Sequence, residues 1–167
     1  MNRSLYLTFL FLSLLFLQVF ILNNILLFGY VNPYLYIAFV FFYPLKENRF
    51  LFLFFAFFLG LCVDFFSDTG GIHAFSILFI AYIRLTFVRF FFKKTPIDYA
   101  LFRLESEQFG KIFNFVVILT LIHHLLLFSF ANFSFQNFGS VLLNTLLSSI
   151  FTLLLFFLGT YIFRKKR

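Results

Sequence analysis

The chain has 167 residues, of which 63% are apolar and only 11% charged, whereas soluble domains are roughly one half apolar and one quarter charged. A soluble fold is excluded. The formal net charge of +7 sits in basic residues that flank apolar runs, the pattern of loops facing anionic lipid rather than of a nucleic-acid surface. Thirty-five residues are Phe and none is Trp; Phe serves as well as Leu against lipid tails, so no cofactor is read into the bias.

A membrane span needs roughly 20 apolar residues, and this length allows about six of them within a single polytopic domain, residues 1–167, with short loops and no separate soluble domain. The predicted class is therefore all-α and integral to the membrane. Span one covers about 5–22. It has no small-residue cleavage site before Asn23-Asn24 and is read as a retained span, not a removed signal peptide. Asn23-Asn24 and the loop Gly29 to Pro33 close it with turn-forming residues. Span two, about 31–45, opens on Asn32-Pro33 and is short for a crossing. After the charged loop Lys46-Glu47-Asn48-Arg49, span three covers 50–66 and ends at Ser67-Asp68-Thr69-Gly70-Gly71, a sharp turn. Span four covers 72–92. The long polar stretch from Lys93 to Lys111, with Tyr99, Phe102 and Phe109 among its charges, is predicted to form a short interfacial helix. Span five covers 112–130 and span six 139–163, before the basic tail Arg164-Lys165-Lys166-Arg167.

With six spans, every basic residue except Arg84 falls on one side, so the positive-inside rule puts both termini in the cytoplasm and the loops 23–32, 67–71 and 131–138 outside.

Few polar residues lie within the spans. Asp64 is 14 residues beyond Phe50, about 21 Å along a helix; it is either a site-forming carboxylate or a packing one bonded to neighbouring helices. Arg84 lies inside span four, where its long side chain can snorkel. An Asp64–Arg84 pair joins two antiparallel neighbours, against a depth difference of about 9 Å. Asp68, with Thr69, Gly70, Gly71 and His73, either binds an ion or caps the start of span four. His123 and His124 are adjacent and point about 100° apart, which favours interhelical hydrogen bonds over a shared metal. Ser140, Asn144, Thr145, Ser148, Ser149 and Thr152 recur down span six as a small, polar packing face, directed either inward or to a partner. The lone Cys62 carries no compartment information. With no nucleophile-base set, phosphate-cradling loop or cysteine pair, the reading is non-enzymatic, without cofactor or metal.

The run Leu59-Gly60-Leu61-Cys62-Val63-Asp64-Phe65-Phe66-Ser67-Asp68-Thr69-Gly70-Gly71-Ile72-His73-Ala74 resembles the Gly-Leu-x-x-Asp motif and following glycine turn of the MreD family of rod shape-determining membrane proteins. Asn32-Pro33, the length, the span count and the basic tail look similar too. The resemblance implies a fold similar to the substrate-binding subunits of energy-coupling-factor transporters and a noncatalytic scaffold of peptidoglycan elongation in the bacterial inner membrane. Its implied partners are MreC and, through it, RodA and the elongation transpeptidase, with MreB on the inner side. The outer turn (Asp64, Asp68, Gly70, Gly71 and His73) is the expected docking region. The competing reading is a vitamin-binding transporter subunit, for which Asn114, His123, His124 and Asn144 are the pocket candidates; a third is a proton relay through Asp64 and the histidines.

Overall fold

A computed structural model describes residues 3–25, 31–132 and 138–163, and their regular structure is helical throughout. Parts of the expected loops at 23–32 and 131–138, and the basic tail, lie outside the described residues. Helix α1 (Arg3–Phe16) runs on through a π-helical turn, Leu17–Ile21, and a 3-10 turn, Leu22–Asn24. A 3-10 turn, Leu35–Ile37, leads into the short α2 (Ala38–Phe42), followed by α3 (Arg49–Ser67), α4 (Ile72–Phe92), α5 (Phe109–Ala131) and α6 (Phe138–Phe163).

Among the described residues five stretches are long and apolar enough to cross a bilayer: Ser4–Asn24, Arg49–Ser67, Ile72–Phe92, Phe109–Ala131 and Phe138–Ile162. Phe9, Phe20, Phe65, Phe90 and Leu154, drawn from four of them, are each more than half exposed. Apolar surface of that extent is stable in lipid and not in water, so the chain is a multi-pass membrane protein.

Ring contacts fix the helix directions. Phe11 packs on Phe55 and Phe58, and Phe20 on Phe66, so α1 runs parallel to α3. Phe75 meets Phe130, and Phe109 and Phe113 meet Phe157, which makes α4, α5 and α6 alternate in direction. Arg49, Arg89, Lys93, Lys94 and Lys111 consequently gather at one end, the basic end. Asn23, the Ser67–Gly71 turn and Asn132 lie at the other, the turn end.

Residues 31–45, expected as a second span, form helix over only part of their length. Only Leu35–Phe42 is helical, roughly 13 Å of helix against a hydrocarbon core of roughly 30 Å. This piece is instead the centre of the molecule: Tyr36, Ile37 and Val40 have no exposed surface, and Ala38, Phe39 and Phe41 almost none. A run of apolar residues that is buried on every side reads in sequence like a lipid-facing one.

The stretch after α4 also departs from expectation. Pro96 and a capping box between Thr95 and Asp98 shape it into two 3-10 turns, Pro96–Ala100 and Leu104–Ser106, instead of an interfacial α-helix. The Thr95 backbone N–H and hydroxyl donate to the exposed Asp98 carboxylate and hold its pKa below the ordinary range. Ile97 and Leu101 are turned outward beside Lys93 and Lys94, while Phe102 folds back on Phe92 and Lys94 pairs with Glu107 at 2.9 Å.

Helices α3 and α4 approach most closely where Gly60 faces the start of α4. A Cβ at Gly60 would lie 2.5 Å from the Ala74 Cα and 2.8 Å from its nitrogen, both backbone atoms that cannot swing aside. Gly60→Ala must therefore push the helices apart, with an expected loss of about 1–3 kcal/mol. A lower thermal midpoint in detergent, with Gly159→Ala as the control that meets nothing within 4 Å, checks it; equal midpoints reject the close contact.

Candidate functional site

The close approach at Gly60 sets up the first part of the site. Asp64, one turn further along α3 on the same face, points its carboxylate at the free N–H groups that open α4. Its Oδ1 accepts from the His73 backbone N–H at 3.0 Å and the Thr69 hydroxyl at 2.6 Å, and its Oδ2 from the Ala74 N–H at 2.7 Å. The carboxylate is 4% exposed. Three donors and the positive end of the α4 dipole compensate its burial. Its own carbonyl meanwhile accepts from the Thr69 N–H at 3.3 Å, closing the C-terminus of α3. Asp68 takes left-handed geometry (φ 53°), as do Gly70 (φ 65°) and Gly71 (φ 100°), and these three residues make the reversal.

His73 belongs to both parts of the site, for its ring enters a buried network around the 31–43 segment. The Tyr36 hydroxyl lies 2.9 Å from His73 Nδ1 and 2.9 Å from His123 Nε2. His123 and His124 approach at 3.4 Å between their Nδ1 atoms, and His124 Nε2 lies 3.1 Å from the Thr152 hydroxyl. Thr152 also accepts from the Tyr34 N–H at 2.9 Å. On the other side Gln18, in the π-helical turn of α1, accepts from the Tyr36 N–H at 3.3 Å and donates to the Pro33 carbonyl at 3.0 Å and to Asn23 at 2.9 Å. Asn23 donates to the Ser67 hydroxyl at 2.8 Å. Gln18, Tyr36, His123 and His124 have no exposed surface.

The proton positions follow from the partners. A carbonyl only accepts, so His124 donates from Nδ1 to the Thr120 carbonyl at 2.9 Å, and its Nε2 accepts from Thr152. His123 Nδ1 faces that protonated nitrogen and is the bare one; its proton sits on Nε2 and is donated to Tyr36. Tyr36 in turn donates to His73 Nδ1. Each histidine is neutral, and the bonds run in one direction from Thr152 through α5 to Tyr36 and α4. A satisfied polar chain of this kind selects one packing of a low-dielectric core.

The structure brings Asp64 and His73 together with the Asp68–Gly71 turn, links His73 through Tyr36 to His123, and places Arg84, Ser140 and Asn144 outside that group. Asp64 and Arg84 do not pair. Arg84 Nη2 donates to the Tyr43 carbonyl at 2.6 Å and contacts that of Phe41 at 3.4 Å, and its guanidinium lies over the Phe52 ring at 5.1 Å; Tyr43 and Phe52 bring it toward the basic end. The cap expected from Asp68 is made by Asp64, and Asp68 is exposed on the turn with Gly70. Along α6, Thr145, Ser148, Ser149 and Thr152 are buried, so this part of the stripe packs inward; Asn144 is half-buried and Ser140 exposed. Among the described residues no group of three His, Cys, Asp or Glu side chains converges as a metal site. Sequence reasoning missed Gln18 and Tyr36. The available signal was a lone amide in an apolar run and a tyrosine just past Asn32-Pro33.

Comparison of the chain with protein-family models, with curated proteins and with solved structures returned no match.

Two substitutions separate the parts of the site. Asp64→Ala removes an acceptor for three donors and is expected to lower stability by about 2–3 kcal/mol, with Asp64→Asn intermediate. Tyr36→Phe keeps the ring and leaves two buried imidazole nitrogens unpaired, a loss of about 1–3 kcal/mol. Thermal unfolding in detergent checks both; a Tyr36→Phe protein as stable as the parent would sink the relay geometry.

Proposed function

We propose that the chain is a noncatalytic membrane scaffold of the MreD kind, serving the complex that elongates peptidoglycan. The observation that carries this reading is the Gly60–Asp64 unit. The residues on which the family resemblance rests are those that seat α4 on α3 and shape the turn end. In this reading the chain crosses the inner membrane six times, with 31–45 as the second crossing. That segment reaches from Tyr36, beside His73, to Tyr43, whose ring lies 4.7 Å from that of Phe52 near the start of α3, and irregular backbone at such depth is tolerated where protein buries it. The basic end then faces the cytoplasm by the positive-inside rule.

A scaffold works through its outer faces. Asp64 and His73 are too buried to meet a partner; they hold the turn that presents Asp68 and Gly70. Beside it, Thr69, Gly71, Ile72, Phe75 and Phe130 line an open groove suited to the end of a single apolar helix such as that of MreC, held by packing. RodA and the elongation transpeptidase follow through MreC, and MreB meets the opposite, basic end. The vitamin-binding alternative needs room among the helices, and Tyr36, Phe39 and Phe41 fill the middle of this bundle.

Photo-crosslinking from a benzoylphenylalanine at Phe75 is expected to trap the host's bitopic coiled-coil protein of the elongation complex, and depletion of the chain to turn rods into spheres. Purification with a bound vitamin, no such crosslink and unchanged cell shape would overturn the proposal.

A further inference from the structure

Arg84 is a permanent cation with 2% of its surface exposed, and no described carboxylate pairs with it. Its Nη2 is used on the two carbonyls at the end of α2, whereas its Nε is buried without a hydrogen-bond partner. A buried guanidinium compensated only by two carbonyls and an aromatic face is expensive, and an anion would relieve it. The structure provides an approach for one. Arg84 lines a small, half-open cleft together with Tyr43, Pro44, Glu47, Arg49 and Phe52. Arg49 itself is held over the Tyr82 ring at 5.3 Å, with its Nη2 at 3.4 Å from the Tyr82 carbonyl. Two guanidinium groups thus border the cleft against one carboxylate, that of Glu47.

Depth identifies the chemistry. Phe52, on which Arg84 rests, is three residues into α3, roughly 4.5 Å from the start of that helix. The cleft therefore opens at the charged Lys46–Arg49 loop that precedes α3, while Arg84 on its inner side is eight residues, roughly 12 Å, short of the end of α4. Guanidinium forks match the oxygens of phosphate in geometry and charge, and Arg84, anchored through Nη2, borders the cleft with its charge paired to no described carboxylate.

We propose that this cleft is a phosphate-binding site in which Arg84 is the inner ligand and Arg49 the outer one. The phosphate belongs either to a phospholipid headgroup or to free phosphate. The site lies at the end of the bundle opposite the groove at Phe75 and stands whether or not the chain is a scaffold.

The test uses the full chain in detergent, delipidated and titrated separately with dihexanoyl phosphatidic acid, dihexanoylglycerol and inorganic phosphate, with binding read by native mass spectrometry and thermal shift. Phosphatidic acid is expected to bind at one equivalent and raise the thermal midpoint, and dihexanoylglycerol to do neither. Equal stabilisation by inorganic phosphate identifies the free ion as sufficient; stabilisation by the lipid alone identifies the headgroup. Arg49→Gln, on an exposed residue, should weaken binding about tenfold, the loss of one charge-assisted bond. Arg84→Lys, which keeps the charge without the fork, should weaken it at least as much. Absence of phosphate-dependent binding to the parent, or binding that Arg49→Gln leaves unchanged, overturns the site.

Discussion

The fold depends on one carboxylate at one helix start. Asp64 lies at the end of α3, yet its three acceptor bonds serve the turn and the opening N–H groups of α4. In an apolar medium those N–H groups have no water to turn to, and each left bare would cost several kcal/mol. The capping geometry exists only because Gly60 lets the Ala74 backbone come within what would be a clash for any side chain. Glycine and aspartate four residues apart therefore act as one device, and the positive-φ residues Asp68, Gly70 and Gly71 only complete it.

From that junction polar contacts reach the end of α1, the segment before α2, α5 and α6. His73, fixed by its backbone to Asp64, hands its ring to Tyr36; Tyr36 connects to His123 on α5 and by its N–H to Gln18 on α1; His124 connects to Thr152 on α6. Lipid removes the hydrophobic drive between helices, so apolar packing alone selects one arrangement only weakly. Directional bonds among neutral groups do select one, and they avoid the desolvation penalty that charges would bring. Arg84 breaks that pattern: it is charged, lies toward the basic end outside the network, and has a cleft beside it.

The sequence made the five long helices legible because lipid-facing and core-facing residues are both apolar, and an uninterrupted run has few other uses. The same degeneracy concealed α2. Residues 31–45 have the composition of a span, and only their length marks them as different. Asp64 was visible as an anomaly, but its role was not, since local spacing points to Asp68 as the cap and only the approach at Gly60 reveals Asp64 as the acceptor. The interfacial helix failed on turn chemistry that was readable: Pro96 with Thr95 and Asp98 opens a turn that does not extend. Gln18 and Tyr36 were hidden because their partners lie on other elements, where spacing along the chain gives no guidance.

A filled centre constrains how such a molecule can act on others. Tyr36, Phe39 and Phe41 occupy the space between the helices, and the polar groups there are committed to one another. Moving Tyr36, in the 3-10 turn that leads into α2, would break bonds to Gln18, His73 and His123 together, so the interior resists graded deformation. The turn at Gly70 and Gly71 adjoins the start of α4, whose His73 is tied both to Asp64 and to Tyr36. The 31–43 segment runs from that junction to Tyr43, whose carbonyl accepts from Arg84 near the basic end. The two ends are thus joined through the packing of one buried segment.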